Sequence, residues 1–356
     1  MSDCFYKTRD LRHFYRPEQN YSGSWVTRPL LLTASSTRIS SYGSCFAGRI
    51  AQRLRKHPDF IYIRYGQQEY PDSVLNEFSA PVGNVYSVAQ FDSLLRAVVE
   101  PIDISTFIHA HPTKGRYLPI IPRLGYFENE AEAAQSFSLS LESFKNSLIK
   151  SDLLVFTVGL SEVWLDIEND SYLPISPGCG YGSSDGLRFV PRQLTSIDIR
   201  FFLTAIKEKL KFLNPSLKVI LTLSPIPLVA THTTENAITA NCVSKFTQYV
   251  ALREWLIEVG ETSDFYYFPS FEIVTNPMFL SKFFQSDYRS VTQAAEDAVM
   301  REFFGSFLKI HESSFAAHGS ARADSQPAAT SESNPRDSVG GSLDICDEDI
   351  YWKMRL

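Results

Sequence analysis

A short turn of small residues brings two nucleophilic side chains together near the start of the chain. Tyr42-Gly43-Ser44-Cys45-Phe46-Ala47 lies between a β-type run, Thr37 to Ser41, and an amphipathic run, Ile50 to Leu54. Such a turn exposes side chains at the end of a strand, and the following helix supplies free backbone N–H groups and a positive dipole end. These groups favour a thiolate or hold an oxyanion. The segment therefore suits nucleophilic chemistry, although a buried, inert cysteine in a close-packed turn also fits it.

The composition is that of an acidic chain large enough for a substantial core. The chain has 356 residues, of which 44% are hydrophobic, and a formal net charge of −6. That length allows one large domain or two ordinary ones. The densest cationic stretch, Arg49 to Lys56, is interrupted by apolar residues and fits the polar face of one helix. We therefore expect no nucleic-acid partner.

The cysteines and histidines do not form a recognisable framework. The five cysteines lie far apart without a CxxC pair, and the seven histidines show no metal-ligand spacing. This pattern argues against disulfides and a structural zinc site, so we expect neither a metal nor a cofactor. Residues 1–16 lack the apolar stretch of a secretory signal, and the longest apolar runs are strand-sized. We therefore expect no membrane span and a cytoplasmic location.

Strand-like and helix-like segments alternate from about residue 37 to residue 310. Alternation of this kind predicts an α/β domain with a parallel sheet covered by helices on both faces. The predicted strands are Arg38 to Tyr42, Phe60 to Tyr65, Leu153 to Val158, Lys218 to Leu223 and Phe265 to Phe268. The predicted helices are Ala47 to Lys56, Ser87 to Val99, Ala131 to Lys150, Ser196 to Asn214, Ser244 to Glu258 and Thr292 to Phe307.

Polar residues follow four of the predicted strands. Because ligands bind outside the carboxyl ends of the strands in such sheets, we expect a site to be built from these segments. The four segments are Gly43-Ser44-Cys45, Gly159 to Trp164, Ser224 to Pro227, and Pro269 to Glu272. Their convergence at one edge would bring several catalytically competent side chains together.

The two ends of the chain differ in composition from the domain between them. We expect an irregular lead-in over residues 1–25, a single domain over 26–315 and a disordered tail over 316–356, because Ser, Ala, Gly and Pro dominate the tail up to Ser342. The last segment, Leu343 to Leu356, mixes acidic and aromatic residues. It could bind a protein partner, fold back on the domain, or have no specific role.

Six ordered blocks of the sequence resemble the GSCFA family, which is named after the block Gly43 to Ala47. The other five blocks are Gly83 to Tyr86, Phe156 to Trp164, Ser224 to Leu228, Ala240 to Lys245 and Tyr267 to Ile273. The resemblance extends over roughly residues 37 to 305 and leaves out the tail.

The GSCFA family is related to the SGNH/GDSL hydrolases, and this relation implies a fold and an activity. The implied fold is a three-layer α/β/α, flavodoxin-like arrangement with a parallel sheet. The implied activity is ester hydrolysis or acyl transfer, often on carbohydrate acyl groups, with a link to surface-polysaccharide biosynthesis. The resemblance therefore implies a small-molecule or glycan ester as the substrate.

The resemblance also implies a nucleophile and an oxyanion hole. SGNH hydrolases carry their nucleophile in a Gly-Asp-Ser turn, which places Cys45 at the nucleophile position and Ser44 at the acid position. Ser44 is the rival nucleophile if the turn is shifted by one residue. The asparagine that donates to the oxyanion in those enzymes corresponds to Ser161. Asn84 is another candidate donor, or else the N-cap of the following helix.

Further residues are candidates for binding the oxyanion or the substrate. Glu162 could bind substrate hydroxyls and Trp164 could stack on a sugar face, although both also fit structural roles. The remaining candidates are Gly43, Tyr86 and Arg289.

The chain departs from the hydrolase pattern near its last helix. SGNH hydrolases place an aspartate and a histidine three residues apart there, whereas this chain has Asp287 and Ser290. Loss of a general base typically costs about 100- to 10,000-fold in rate. Three alternatives follow: a Cys45 thiolate acts without a histidine, His232 supplies the base from another loop, or the domain binds a ligand without catalysis. A redox-sensing thiol is a further option, but the sequence shows no resolving cysteine for it.

Overall fold

We describe the chain from a computed structural model that covers residues 25–309 with gaps. The gaps are 31, 34–35, 59, 71–77, 111–116, 120, 122–123, 175, 178–186 and 261–262. The predicted lead-in and tail therefore lie almost entirely outside the described residues, as do Cys4, Cys179 and Cys346. The division into lead-in, domain and tail, and the partner role of the tail, stay predictions.

A five-stranded parallel sheet forms the centre of the fold, as the alternation of segments predicts. Its strands are β2 (Arg38–Gly43), β3 (Ile61–Tyr62), β6 (Leu153–Val158), β10 (Lys218–Leu223) and β11 (Phe265–Phe268). They lie side by side in the order β11-β10-β6-β2-β3. Every residue of β6 is buried, because the strand lies in the middle of the sheet and helices cover both of its faces.

Helices cover the sheet on both faces and make it the middle layer of three. One face packs against α2 (Val88–Val99), α3 (Glu130–Lys150), α4 (Ser196–Leu213) and α5 (Ala237–Val259). The other face packs against α1 (Cys45–Lys56), α6 (Ser270–Val274), α7 (Leu280–Phe283) and α8 (Gln293–Phe307). This is the predicted three-layer α/β/α arrangement. In the described part of the chain, no helix is long and apolar enough to cross a bilayer.

Local sequence signals set the ends of several helices. Thr195 caps α4 by accepting a hydrogen bond from the backbone N–H of Asp198, whose carboxylate in turn accepts from the N–H of Thr195. This capping box satisfies two donors that the helix itself leaves without acceptors. Thr292 caps α8 and Ser87 caps α2 in the simpler way, through one side-chain oxygen each. The helix starts predicted near these residues agree with the structure to within one residue.

The structure differs from the predicted elements at several points. Helix α1 begins at Cys45 rather than Ala47, β3 is reduced to two residues, and α5 begins at Ala237, seven residues before the predicted start. Seven further strands of the described residues were not predicted, and four of them are short pairing segments. They are β1 (Leu32–Thr33), which pairs with β12 (Leu308–Lys309), and the short hairpin of β4 (Ile108–Ala110) and β5 (Tyr117–Pro119).

A small antiparallel sheet after β6 is the largest unpredicted element. It consists of β7 (Glu162–Asp166), β8 (Ser171–Leu173) and β9 (Phe189–Gln193), with β7 in the middle. Asp166 is fully buried there and accepts two hydrogen bonds from the Arg188 guanidinium, at 2.9 and 2.7 Å. The pair anchors the start of β9 to the end of β7, since breaking a buried ion pair leaves an uncompensated charge.

His109 of β4 lies next to this ion pair. Burial, followed by the nearby charge of Arg188, lowers the pKa of His109 to about 4, and Asp166 acts in the opposite direction. The imidazole packs against the ring of Phe189 with 5.8 Å between the ring centroids. His109 is therefore held in its neutral form at pH values where a free histidine takes up a proton.

We expect this histidine to make the protein sensitive to mild acid. Between pH 6.5 and about 4 the unfolded chain binds a proton at residue 109 and the folded chain does not, so the free energy of unfolding falls as the pH falls. The loss attributable to this group is about 2 kcal/mol between pH 7 and pH 5. Denaturant unfolding of wild type and His109→Gln at both pH values measures it. An equal loss in the two proteins would contradict the assignment.

Gly43 allows the end of β2 to lie directly against β6. Its φ of +147° is rarely adopted by residues with a side chain, and a Cβ there would lie 2.5 Å from the carbonyl oxygen of Thr157. It would also lie 2.9 Å from the Cβ of Ala47 in α1. Only glycine therefore lets the chain leave β2 and enter α1 at this point.

We expect Gly43→Ala to destabilise the protein by roughly 3 kcal/mol, because the added methyl group clashes with backbone and side chain at once. Gly305→Ala is the matched control. Gly305 lies inside α8 with no atom within 4 Å of an added Cβ, so this change should stabilise by about 0.5–1 kcal/mol. Denaturant unfolding of the two variants measures both effects. A Gly43→Ala protein as stable as wild type would refute the close approach.

Candidate functional site

The strand order places a crevice at the carboxyl ends of β2 and β6. If the five parallel strands are numbered by their order in the chain, they lie across the sheet in the order 2-1-3-4-5. The connections that follow the first and the third strand therefore run towards opposite edges of the sheet. In doubly wound sheets of this order, ligands bind at that switch point. The first strand is β2, which ends at Gly43, and the third is β6, which ends at Val158.

A pocket lies at this point, and three of the four predicted segments contribute to it. Its lining combines hydroxyl, thiol and cationic groups with an apolar segment. The lining residues are Ser44, Cys45, Tyr86, Gly159, Leu160, Ser224, Ile226, Pro227, Leu228, Val229, Lys245 and Arg289. The fourth segment, which follows the edge strand β11, does not contribute.

Ser44 is the N-cap residue of α1, but its side chain does not cap the helix. The residue is only 3% exposed, and its Oγ makes no hydrogen bond to any residue that the structure describes. Its carbonyl oxygen accepts the N–H groups of Ala47 and Gly48. Only the two N–H groups before these, those of Cys45 and Phe46, have no acceptor within the helix. A buried hydroxyl and a positive helix end therefore meet at the pocket.

Cys45 is the first residue of α1 and lies half-buried on the pocket wall. Its position at the N-terminus of a twelve-residue helix puts the sulfur where the helix dipole favours negative charge. Ser44 and Cys45 are thus both at the pocket, as the turn predicts.

Gly159 and Tyr86 fix the opposite side of the pocket. The N–H groups of Gly159 and Leu160 both donate to the carbonyl oxygen of Tyr86, at 2.8 Å each. A Cβ on Gly159 would lie 3.2 Å from that oxygen and 3.3 Å from the Cβ of Ser44. The chain after β6 therefore lies tightly against both Tyr86 and the Ser44 turn. Tyr86 is a pocket residue, as the resemblance implies.

Lys245 of α5 brings a buried cation to the pocket. The residue is only 2% exposed, and its Nζ donates to the carbonyl oxygen of Gly159 at 2.8 Å. The same carbonyl accepts from the Gln248 amide at 3.2 Å. The two donors hold the backbone of Gly159 against α5, so Lys245 connects the helix layer to the pocket floor.

Arg289 also lines the pocket, on a turn that Asp287 organises. The Asp287 carboxylate accepts the N–H groups of Arg289 and Ser290, each at 2.9 Å, and the Ser290 hydroxyl at 2.6 Å. The hydrogen bond from Ser290 is the main cause of a lowered pKa of Asp287. Asp287 is exposed, and neither it nor Ser290 lines the pocket. Of the three residues of this turn, Arg289 lines the pocket, whereas the two residues at the expected acid and base positions do not.

Asn84, Ser161 and Gly43 lie beside the pocket rather than on its wall. Asn84 is buried, and its carbonyl oxygen accepts from the side chain of Gln90. The alternative that Asn84 caps α2 is wrong, because the N-cap is Ser87. Ser161 is fully buried; its N–H donates to the Ser244 hydroxyl at 3.0 Å and its own Oγ accepts from Gln193 at 2.7 Å.

Glu162, Trp164 and His232 form a separate cluster. The Glu162 carboxylate accepts from the Thr231 hydroxyl at 2.9 Å and from the backbone N–H of His232 at 3.0 Å. The Nε2 of His232 lies 3.7 Å from that carboxylate, and the imidazole packs edge-on against Trp164. None of the three lines the pocket. The geometry thus places His232 beside Glu162, not beside Ser44 or Cys45.

The segment after β11 forms a second polar cluster. Burial raises the pKa of Glu272, although the hydrogen bond from the Tyr267 hydroxyl, at 3.0 Å, acts in the opposite direction. Burial and the Glu272 carboxylate likewise raise the pKa of Tyr267. This cluster joins β11 to α6 and faces Arg253, whose guanidinium lies 5.0 Å from the ring centre of Tyr267.

Lys245 is the pocket residue that the sequence did not indicate. The Ser-Lys segment was recognised as part of a family block, but a lysine in a helix is usually solvated. The neighbouring Ser244 is fully buried and Phe246 is 58% exposed, which is the reverse of what the polarity of the two side chains predicts. The helix also exposes Val243 and Val250 while Gln248 is buried, and this inversion of apolar and polar residues becomes visible only in the packed structure. In the described ranges, no group of His, Cys, Asp and Glu side chains could hold a metal ion.

Comparison with known proteins agrees with the blocks identified in the sequence. The family model described as the GSCFA family matches residues 38–303, which is most of the chain. No curated protein matches the chain. The matched range begins with β2 and ends within α8, so it contains the whole sheet and every residue of the pocket. The chain belongs to the GSCFA family.

Proposed function

We propose that this protein is an SGNH-like ester hydrolase or acyltransferase that acts on an acylated, carbohydrate-type substrate through Cys45. The observation that supports the proposal most directly is the convergence of Ser44, Cys45, Lys245 and Arg289 on one pocket at the switch point of the sheet. A nucleophile, hydroxyl and backbone donors, and fixed positive charge are the parts that acyl transfer requires.

Cys45 is the better nucleophile of the two residues in the turn. A serine hydroxyl needs a neighbouring general base, and among the described residues that line the pocket there is neither a histidine nor a carboxylate. A thiol ionises at a much lower pH than a hydroxyl does. The positive end of α1 and the cations of Lys245 and Arg289 stabilise negative charge at the same place, so a thiolate can form without a histidine.

The chemical steps follow from this arrangement. The Cys45 thiolate adds to the ester carbonyl carbon, and the negative charge moves to the carbonyl oxygen, where the Ser44 hydroxyl and the first N–H groups of α1 can donate. The C–O bond then breaks, the departing alkoxide takes a proton from water, and a thioester remains on Cys45. Water or an acceptor hydroxyl attacks the thioester, loses its proton to solvent and restores the thiolate. The wall from Ile226 to Val229 offers apolar surface to the acyl group.

A second candidate function is a binding module without catalysis. The turn around Asp287 favours it, because the Ser290 hydroxyl is used to complete that turn and the carboxylate faces solvent. In this alternative the pocket holds an acylated glycan, and no bond changes. The two candidates differ in whether a covalent acyl-enzyme forms.

We expect small activated esters or thioesters to leave an acyl group on Cys45. Intact mass and peptide mapping after incubation measure it in wild type, Ser44→Ala and Cys45→Ala. The adduct should be absent from position 45 in Cys45→Ala. In Ser44→Ala it should form about ten- to a hundredfold more slowly, because one donor to the developing oxyanion is missing.

Cys242 provides the matched control, since it is an exposed cysteine that does not line the pocket. Cys242→Ala should leave the rate of acylation at Cys45 unchanged. Acylation of Cys45 no faster than that of Cys242 would mean that the pocket does not activate the thiol. Acylation of Ser44 with Cys45 unmodified would move the nucleophile by one residue. A complete lack of adduct with every donor would favour the binding module.

A further inference from the structure

The charged residues on the pocket wall are all of one sign. Of the twelve described residues that line it, Lys245 and Arg289 are cationic, and none is acidic. The acidic residue closest in sequence to Arg289 is Asp287, which is exposed and turned to its own backbone loop. The overall charge of the chain is −6, so a positive pocket is a local feature and not a consequence of composition.

Burial makes the position of Lys245 unusual. Transfer of an ammonium group from water to a protein interior costs free energy that hydrogen bonds and opposite charge must offset. The carbonyl oxygen of Gly159 supplies one neutral acceptor, at 2.8 Å. A negatively charged ligand in the pocket would add a favourable interaction with the ammonium group, which gives a physical reason for a lysine at this position.

The Ser44 hydroxyl supplies a second, independent sign of a ligand. It is almost completely buried, makes no hydrogen bond to the described residues, and belongs to the lining of the same pocket. Ser44 Oγ and Lys245 Nζ do not bond to each other, although both line this small space. Two donors that surround a space without touching suit a ligand oxygen between them.

The N-terminus of α1 completes a set of donors. The helix has twelve residues, no acidic residue in its first turn and no side-chain cap. Its first N–H groups and its dipole attract anions. Together with a hydroxyl, an ammonium and a guanidinium, they match a carboxylate or phosphate, whose oxygens accept several hydrogen bonds at once.

We propose that this pocket binds a carboxylate or phosphate group that the substrate carries next to its ester, so that the substrate is an acidic acylated molecule. That this ligand is the substrate rests on the proposed function; that the pocket binds such an anion does not. The lining of the same pocket also includes the apolar residues Ile226 to Val229, which can contact the acyl group while the cations bind the anion.

The two alkylating reagents iodoacetate and iodoacetamide test the proposal on the full chain. They attack the same thiols, but iodoacetate carries a carboxylate and iodoacetamide is neutral. We expect the ratio of the iodoacetate rate to the iodoacetamide rate to be about three- to tenfold higher at Cys45 than at exposed Cys242, because the pocket attracts the anion. Peptide mass spectrometry resolves the two sites in one sample. Equal ratios at the two cysteines would overturn the proposal.

Charge-neutralising variants identify the groups responsible. Arg289→Gln and Lys245→Met should each lower the ratio at Cys45 towards that at Cys242, whereas Arg301→Gln, which neutralises an exposed arginine of α8, should leave it unchanged. Circular dichroism checks that Lys245→Met folds. If Lys245→Met does not fold, the ratio measured in Arg289→Gln decides whether the pocket cations attract the anion. An unchanged ratio in Arg289→Gln would exclude Arg289 from the site.

Competition with free anions distinguishes the two chemistries. Inorganic phosphate should slow alkylation of Cys45 but not of Cys242 if the pocket prefers a phosphate, and acetate should do so if it prefers a carboxylate, with chloride at equal ionic strength as reference. If neither reagent alkylates Cys45, calorimetric titration with phosphate and acetate replaces the assay. A lack of binding in wild type would then overturn the proposal.

The outcomes separate this proposal from the proposed function. Anion selectivity at Cys45 without an acyl adduct would support the anion site and contradict the enzyme. An acyl adduct with equal alkylation ratios would support the enzyme and contradict the anion site.

Discussion

The close approach of the chain after β2 to the chain after β6 is the constraint on which the pocket depends. At Gly43 the backbone of β2 lies so near Thr157 that no side chain fits, and at Gly159 the chain after β6 lies against both Ser44 and Tyr86. Because glycines occupy both positions, the first turn of α1 is pressed against the end of the central strand. The N–H groups and small side chains of that turn thus lie at the carboxyl edge of the sheet, where ligands of doubly wound folds bind.

The same close approach determines what fills the space around it. The N–H of Gly159 donates to Tyr86, so it cannot donate to an oxyanion, and its carbonyl oxygen points instead to Lys245 and Gln248 of α5. A helix from the opposite layer therefore contributes a cation to the pocket floor. Arg289 arrives from the other side, on the turn before α8, since Asp287 fixes that turn with three hydrogen bonds. The two cations depend on separate structural supports, so each can be changed without dismantling the other.

The sequence predicted the parts of this arrangement that depend on local patterns. Continuous apolar runs predicted β6 and β10, and the alternation of segments predicted α4 and α8. Four polar segments after the strands were expected to form a site, and three of them line the pocket. The sequence alone did not predict contacts between residues that lie far apart in the chain. The pairing of β7 with β9 depends on the buried ion pair of Asp166 and Arg188, which lie 22 residues apart in the chain. The inward position of Lys245 depends on a carbonyl 86 residues away. His232 looked available as a base only because its contact with Glu162 was not visible in the sequence.

In the proposed mechanism, the lack of a histidine among the described pocket residues and the presence of two cations there are connected in physical terms. A histidine base serves a nucleophile whose proton must be removed during the reaction, which is the problem of a serine. In the proposed mechanism, the positive helix end and the two cations that line the same pocket favour the thiolate form of Cys45, so fixed charge takes the place of proton transfer. Fixed charge also has a second effect that a histidine lacks, because it persists after the thiolate has been consumed. The same two cations would then remain to attract negative charge elsewhere on the ligand, and this connects the proposed thiol chemistry to the proposed anion site.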